Sequence, residues 1–122
     1  MSKRILIADD DEPLRQALEQ LMEMEGFAVA SAPDGQAVLE LAGRSSYDLI
    51  LLDVQMPNTS GLEALPALHD LLPGVPVIMM SAEVGRNMVT DAQQAGACDF
   101  ILKPFNSEHV LTAVRRALAL SN

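Results

Sequence analysis

The sequence predicts one doubly wound α/β domain, and three observations support this fold class. Five short apolar runs are typical of buried parallel strands, at residues 5–8, 27–30, 49–52, 75–80 and 100–102. Segments with apolar residues at helical spacing alternate with these runs, and the connections are short, as in right-handed βαβ units. A chain of 122 residues is long enough for one core and too short for two typical domains.

The predicted helices begin and end at residues suited to those positions. For the first helix, Asp11 is the expected cap, Pro13 is tolerated in the first turn, and Gly26 marks the end. The other four helices are expected around residues 37–41, 62–68, 89–95 and 110–118, with Pro66 inside the third as a local weakness.

Composition limits the classes of function. A net charge of −9 argues against binding of a nucleic-acid backbone by this domain, because such binding needs clustered Lys and Arg. Cys98 is the single cysteine, so no internal disulfide is expected, and we expect it to be a small buried residue. The chain opens without a signal-like apolar stretch and has no run of about 18 apolar residues, which favours a cytoplasmic location and no membrane role.

Charged residues directly follow three of the predicted strands. Asp9, Asp10 and Asp11 follow the first, Asp53 follows the third, and Lys103 follows the fifth. If the first and third strands are parallel neighbours, the acids meet in the crevice where open α/β sheets bind ligands. Carboxylates at such short distances repel one another unless a cation lies between them. We therefore expect a divalent metal ion in this crevice and chemistry on a phosphate. Two simpler explanations remain open. Asp9, Asp10 and Asp11 could be acids favoured at a helix N-terminus, which gives no reason for Asp53, and Lys103 could be an ordinary surface lysine.

Several segments, taken together and in order, resemble the receiver domains of two-component response regulators over nearly the whole chain. They are ILIADDDEPLR from Ile5, LLDVQMP from Leu51, Gly61, MSA from Met80 and FILKPF from Phe100. The resemblance implies a flavodoxin-like (βα)5 domain with a five-stranded parallel sheet in the order 2-1-3-4-5.

The resemblance also implies roles for individual residues. Asp53 would be the phosphoacceptor, and Mg²⁺ would be held by Asp53, Asp10, Asp9 through water, and the backbone carbonyl of Gln55. Lys103 would pair with Asp53 before phosphorylation, and Lys103 and Ser81 would contact the phosphoryl oxygens afterwards.

Further expectations concern the switch and the phosphoryl lifetime. Ser81 and Phe100 match the two switch positions of the family, while Gln55 and Glu83 match positions that modulate attack by water. The family also uses a cis bond at the position of Lys103-Pro104, against a base rate of about 5–6% for X-Pro bonds.

The expected partners are a sensor histidine kinase or a histidine phosphotransfer protein, and a downstream effector or fused output domain. We expect a single receiver domain over residues 1–122, either stand-alone or excised from a longer regulator. A homodimer through the fourth and fifth helices is possible, with Arg86, Arg115 and Arg116 as the hint. We expect the domain not to be an enzyme that acts on other substrates. It would catalyse only its own phosphorylation and slow dephosphorylation.

Two other functions compete with this interpretation. One is a receiver-like docking module that works without phosphorylation. The other is a Mg²⁺-dependent phosphohydrolase of the haloacid-dehalogenase type, which also uses an aspartate after an apolar strand. That family places a second aspartate two residues further on as the general acid, and here Gln55 occupies the position and has no proton to donate in that way.

Overall fold

The computed structural model of the chain describes residues 2–57, 59–82 and 86–120. Along these residues, five strands and five helices alternate, as predicted. They are β1 (Arg4–Ala8), α1 (Glu12–Met24), β2 (Ala28–Ala32), α2 (Gly35–Arg44), β3 (Leu49–Asp53), α3 (Gly61–Leu71), β4 (Val77–Ser81), α4 (Arg86–Gln94), β5 (Asp99–Leu102) and α5 (Ser107–Leu120).

The strands form one parallel sheet in the order β2-β1-β3-β4-β5, which confirms the predicted topology. Consecutive strands β1 and β2 lie side by side, and the chain then crosses β1 to place β3 on its other side. The connection from β1 to β2 therefore runs in one direction across the sheet, and the connections from β3 to β4 and from β4 to β5 run in the opposite direction. This reversal creates the crevice at the carboxyl ends of β1 and β3, where such sheets bind ligands.

Two apolar layers hold the helices to the sheet, because alternate residues of a strand point to opposite faces. Leu6 and Ile50 belong to the layer that packs against α2, α3 and α4, and Phe100 lies partly buried against it. Ile5 and Leu51 belong to the layer that packs against α1 and α5, with Phe105 partly buried at its margin. With both faces covered, the strands read as continuous apolar runs in the sequence.

The signals predicted for α1 are present in the structure. Asp11 is the N-cap, and its Oδ1 accepts a hydrogen bond from the Leu14 amide at 3.2 Å. Pro13 lies in the first turn, where its missing N–H costs nothing. Gly26 has a φ of 92° and takes the chain out of the helix in the left-handed region.

Strand ends differ from the prediction by one or two residues, for physical reasons. Phe27 was expected to open β2, but its amide bonds to the Met22 carbonyl at 3.1 Å and so completes the end of α1. At its other end β2 extends beyond the predicted residue 30 to include Ser31 and Ala32. Both residues pair with β1, and this backbone pairing does not depend on the polarity of their side chains. Likewise β4 starts only at Val77, since residue 75 still donates to a turn, and it extends to Ser81.

Two further differences concern single residues. Cys98 is exposed, so the expectation of a buried cysteine is wrong. It lies in the turn before β5, where its amide bonds to the Val77 carbonyl at 2.9 Å.

Pro66 does not interrupt α3, which continues through it. Buried Ala64, Leu65 and Leu68 hold this helix against the sheet and offset the missing backbone hydrogen bond.

Candidate functional site

Three carboxylates meet at the carboxyl edge of the sheet. Asp9 follows β1 and is fully buried, Asp53 ends β3 and is 3% exposed, and Asp10 is exposed. One oxygen of each lies within 4.8 Å of the others. The pairing of β1 with β3 brings them together, because it puts Ala8 directly beside Leu52 and so aligns the residues that follow.

Asp9 is held by two backbone groups and one side chain. Its amide donates to the Ala32 carbonyl at 3.1 Å, and its Oδ1 accepts from the Asp11 amide at 2.9 Å. The Arg15 guanidinium donates to the Asp9 carbonyl at 2.9 Å. Ala32 of β2 and Arg15 of α1 therefore fix the backbone of this buried acid, and the N-cap residue Asp11 fixes its side chain. No sequence pattern singles out Arg15 for this contact, since its partner is a backbone oxygen.

Asp53 sits at the last position of β3, beside Met80 of β4. Its Oδ1 accepts a hydrogen bond from the Gln55 amide at 3.3 Å. Burial, together with the charge of Asp9, raises the pKa of Asp53 to about 7, although Lys103 and the Gln55 amide favour the ionised form. A cation placed against this carboxylate would oppose that rise.

Gly61 allows the chain to turn back tightly behind Asp53. Its amide donates to the Val54 carbonyl at 2.8 Å. A Cβ at this position would lie 3.0 Å from Val54 Cα and closer still to the Asp53 carbonyl oxygen. Only a glycine at the start of α3 fits against the end of β3 in this way.

Lys103 places its ammonium between two of the acids. Its Nζ lies 2.8 Å from Asp9 Oδ2 and 3.4 Å from Asp53 Oδ2. Burial alone would lower the pKa of Lys103, but the hydrogen bond to Asp9 and the charges of Asp53 and Asp9 outweigh it, so the pKa is raised. The expected contact with Asp53 is present, and the shorter one to Asp9 was not predicted. The Lys103-Pro104 bond is cis, as the resemblance implied.

Ser81 and Phe100 lie on the two strands beyond Asp53. Ser81 is fully buried at the end of β4, and its carbonyl accepts a hydrogen bond from the Lys103 amide at 2.8 Å. Phe100 is half-buried on β5 beside Met79, at the wall of a cavity of about 200 Å³ between α4 and β5. Gln55 is exposed next to Asp53, whereas Glu83 lies outside the described residues.

The donor set fits a hard divalent cation. Three carboxylates face one ammonium within the same crevice, so the cluster keeps a negative charge. Carboxylate and carbonyl oxygens, with waters and a phosphate, are the ligands that Mg²⁺ prefers. Asp10 is the member of the cluster that is exposed to solvent. These residues therefore form a pocket that could hold Mg²⁺.

Within the described residues, none of the helices has the length and apolar character needed to cross a membrane.

Comparisons with known proteins agree with this geometry. The family model of the response regulator receiver domain matches residues 5–115. Chemotaxis protein CheY of Bacillus subtilis is 39% identical over 97% of this chain and 99% of its own length. Transcriptional regulatory protein CpxR of Escherichia coli is 40% identical over 98% of this chain, which spans only 50% of CpxR.

Solved structures agree as well. A CheY-like receiver domain protein from Methanospirillum hungatei superposes with a TM-score of 0.95, at 30% identity, over 99% of this chain and 97% of the other. A response regulator from Burkholderia pseudomallei, solved with a phosphorylated aspartic acid and a calcium ion, gives 0.85 at 29% identity, over 99% of this chain and 75% of the other. The chain thus belongs to the family of response regulator receiver domains of two-component systems.

Proposed function

We propose that this receiver domain is a phosphoacceptor switch in which Asp53 takes a phosphoryl group from a sensor histidine kinase or a histidine phosphotransfer protein. The observation that carries the proposal is the position of Asp53. Its carboxylate lies at the carboxyl edge of the sheet, 3.4 Å from the Lys103 ammonium and within 4.8 Å of two further acids. The phosphorylated aspartic acid in the Burkholderia pseudomallei relative supports this assignment.

The proposed chemistry is displacement at phosphorus. An oxygen of the Asp53 carboxylate attacks the phosphorus of the donor phosphohistidine, the P–N bond breaks, and the donor's imidazole leaves with the electron pair of that bond as the acyl phosphate forms. Bound Mg²⁺, held by Asp9, Asp10, Asp53 and the Gln55 carbonyl, would supply neutralisation of the charge on the phosphoryl oxygens. Lys103 already lies beside Asp53, where its ammonium would contact an oxygen of the transferred phosphoryl group. Ser81, at the end of the neighbouring strand, offers a hydroxyl.

Replacing the nucleophile tests the proposal directly. Wild-type protein incubated with acetyl phosphate and Mg²⁺ is expected to gain the mass of one phosphoryl group, and Asp53→Asn is expected to gain none, because an amide oxygen is a poor nucleophile. Asp70→Asn is the matched control, since Asp70 is an exposed aspartate on α3 far along the chain from the crevice. Intact-protein mass spectrometry reads the result. A mass gain in Asp53→Asn equal to that of wild type would contradict the assignment.

Substitutions of the adjacent residues Asp10 and Asp11 distinguish an effect on metal binding from an effect on helix capping. At a Mg²⁺ concentration about 100 times the Kd, the free energy of unfolding of the wild type should rise by about 2.7 kcal/mol. Asp10→Asn should lose most of this increment, because it removes one carboxylate of the cluster. Asp11→Asn should keep it, because Asp11 caps α1 and Asn is an equally good cap. Urea unfolding with and without Mg²⁺ measures the increments, and equal increments in all three proteins would exclude a site at Asp10.

Removal of the Lys103 ammonium should destabilise the metal-free fold. Lys103→Met leaves Asp9 and Asp53 buried without their cation, which costs about 3 kcal/mol. Phosphorylation by acetyl phosphate should also slow by roughly 100-fold, because a charge aimed at the transferred group is lost. Lys3→Met, at the only other lysine, should stay within about 0.5 kcal/mol of wild type. Urea unfolding in EDTA and the phosphorylation rate measure both effects, and a Lys103→Met protein like wild type in both would refute this role.

Phosphorylation would change the surface through Ser81 and Phe100. New acceptor oxygens on Asp53 draw the Ser81 hydroxyl inward and let Phe100 turn toward the interior, which alters the face formed by α4, β5 and α5. A hydrogen bond to a charged group contributes about 1.5–3 kcal/mol. One or two such bonds fall short of, or only just reach, the roughly 5.5 kcal/mol that a shift from 1:99 to 99:1 requires. A minority of the active conformer should therefore exist before phosphorylation.

Relaxation-dispersion NMR of the unphosphorylated protein tests this pre-existing equilibrium. The amides of Ser81 and Phe100 should show microsecond-to-millisecond exchange, because both side chains differ between the two states. Amides of Ile5 and Leu18, in the layer of α1 and α5, serve as the reference and should show none. Flat profiles at Ser81 and Phe100 would count against the switch.

The competing functions have less support. A haloacid-dehalogenase-type hydrolase would need a general acid at the position of the exposed Gln55. A docking module without phosphorylation gives no reason for two buried acids around a lysine. As for a homodimer through α4 and α5, Arg115 already pairs with Glu25, the C-cap residue of α1, at 2.5 Å. This pair is exposed, so a partner could displace it at little cost.

A further inference from the structure

The loop between β3 and α3, of which residues 54–57 and 59–60 are described and which is here called the β3–α3 loop, is tied to the fold at both ends. The Val54 amide donates to the Met80 carbonyl at 2.9 Å, and the Gly61 amide closes the loop on the Val54 carbonyl at 2.8 Å. Between these ends lies Gln55, whose amide holds Asp53 Oδ1. The path of this segment therefore sets where the Gln55 backbone lies relative to Asp53.

The first residue of α2 touches the far side of this loop. Gly35 is buried, and a Cβ built on it would lie 2.6 Å from Thr59 Cβ and closer still to the Thr59 carbonyl oxygen. The α2 backbone thus approaches the loop backbone at a distance that no side chain at position 35 permits. Contacts of this kind within a folded protein transmit displacement, because close-packed interiors have low compressibility.

The start of α2 is itself firmly held. Asp34 is the N-cap, and its Oδ1 accepts from the Ala37 amide at 2.8 Å, while its carbonyl accepts from the Val38 amide at 3.1 Å. Val38 is fully buried in the layer shared by α2 and α3. An atom added at position 35 would accordingly press against the loop from a helix end that is hydrogen-bonded and packed in place.

We infer that Gly35 is a positioning residue for the metal site: its contact with Thr59 holds the β3–α3 loop so that Gln55 faces the carboxylate cluster. The inference rests on the proposed function, in which the Gln55 carbonyl is a Mg²⁺ ligand. Gly35 does not touch the metal or the phosphoryl group, and it acts through the loop alone. Loss of a group that orients a metal ligand typically weakens metal affinity by about 10–100-fold.

The test measures Mg²⁺ affinity and the conformation of the loop in metal-free protein. In Gly35→Ala, the Kd for Mg²⁺ from an NMR titration should rise by roughly tenfold. The amide resonances of Gln55 and Gly61 should already be shifted in EDTA, where no metal contributes. Gly43→Ala adds the same methyl group to the same helix, where the nearest atom is Leu71 Cδ2 at 3.9 Å, and should change neither quantity.

A second control separates positioning from stability. Asp34→Ala removes the cap of α2 and lowers the free energy of unfolding, but it puts no atom against Thr59, so the Kd for Mg²⁺ should stay within about twofold of wild type. If Gly35→Ala does not fold, Thr59→Gly takes its place, because it slackens the loop without altering α2, and it should weaken Mg²⁺ binding in the same direction.

The outcomes distinguish the two proposals. A wild-type protein that binds no Mg²⁺ would overturn the proposed function itself. Wild-type binding with an unchanged Kd in Gly35→Ala, or in Thr59→Gly where that variant is used, would overturn the positioning role alone. A rise in Kd that Asp34→Ala reproduces would also overturn it, because the effect would then come from destabilisation of α2.

Discussion

The site depends on one electrostatic arrangement, a lysine ammonium shared by two buried carboxylates. Asp9 is fully buried and Asp53 nearly so, and burial of a carboxylate is costly unless the group is paired. Lys103 supplies a single positive charge to both, at 2.8 and 3.4 Å. The remaining negative charge makes the crevice attractive to a divalent cation. Much of the surrounding structure serves to bring these three side chains together.

The sheet accomplishes this through strand order and register. Placing β3 beside β1 aligns the ends of two apolar runs, so that the acids that follow them face one crevice. Pairing of Ser81 with Leu102 then sets the residue after β5 beside the end of β4. Backbone hydrogen bonds between β4 and β5 therefore place Lys103 beside the acids, although it lies far from them in the sequence. Buried strands fix the register because a slip of one residue would turn every apolar side chain to the wrong face.

Features governed by local pattern could be predicted from the sequence, and features governed by distant packing could not. Apolar runs identified the strands, and the cap and glycine identified the limits of α1. The extension of β2 through Ser31 depends on its pairing with β1, and the preference of Lys103 for Asp9 depends on side-chain geometry. The contact of Gly35 with Thr59 joins two segments that share no pattern in the sequence.

The segment around Lys103 belongs to both apolar layers at once. Phe100, three residues before it, packs on the side of α2, α3 and α4, while Phe105, two residues after it, packs on the side of α1 and α5. A shift of this short stretch of backbone would be felt on opposite sides of the sheet. The short stretch from Phe100 to Phe105 therefore couples the crevice mechanically to both faces of the sheet.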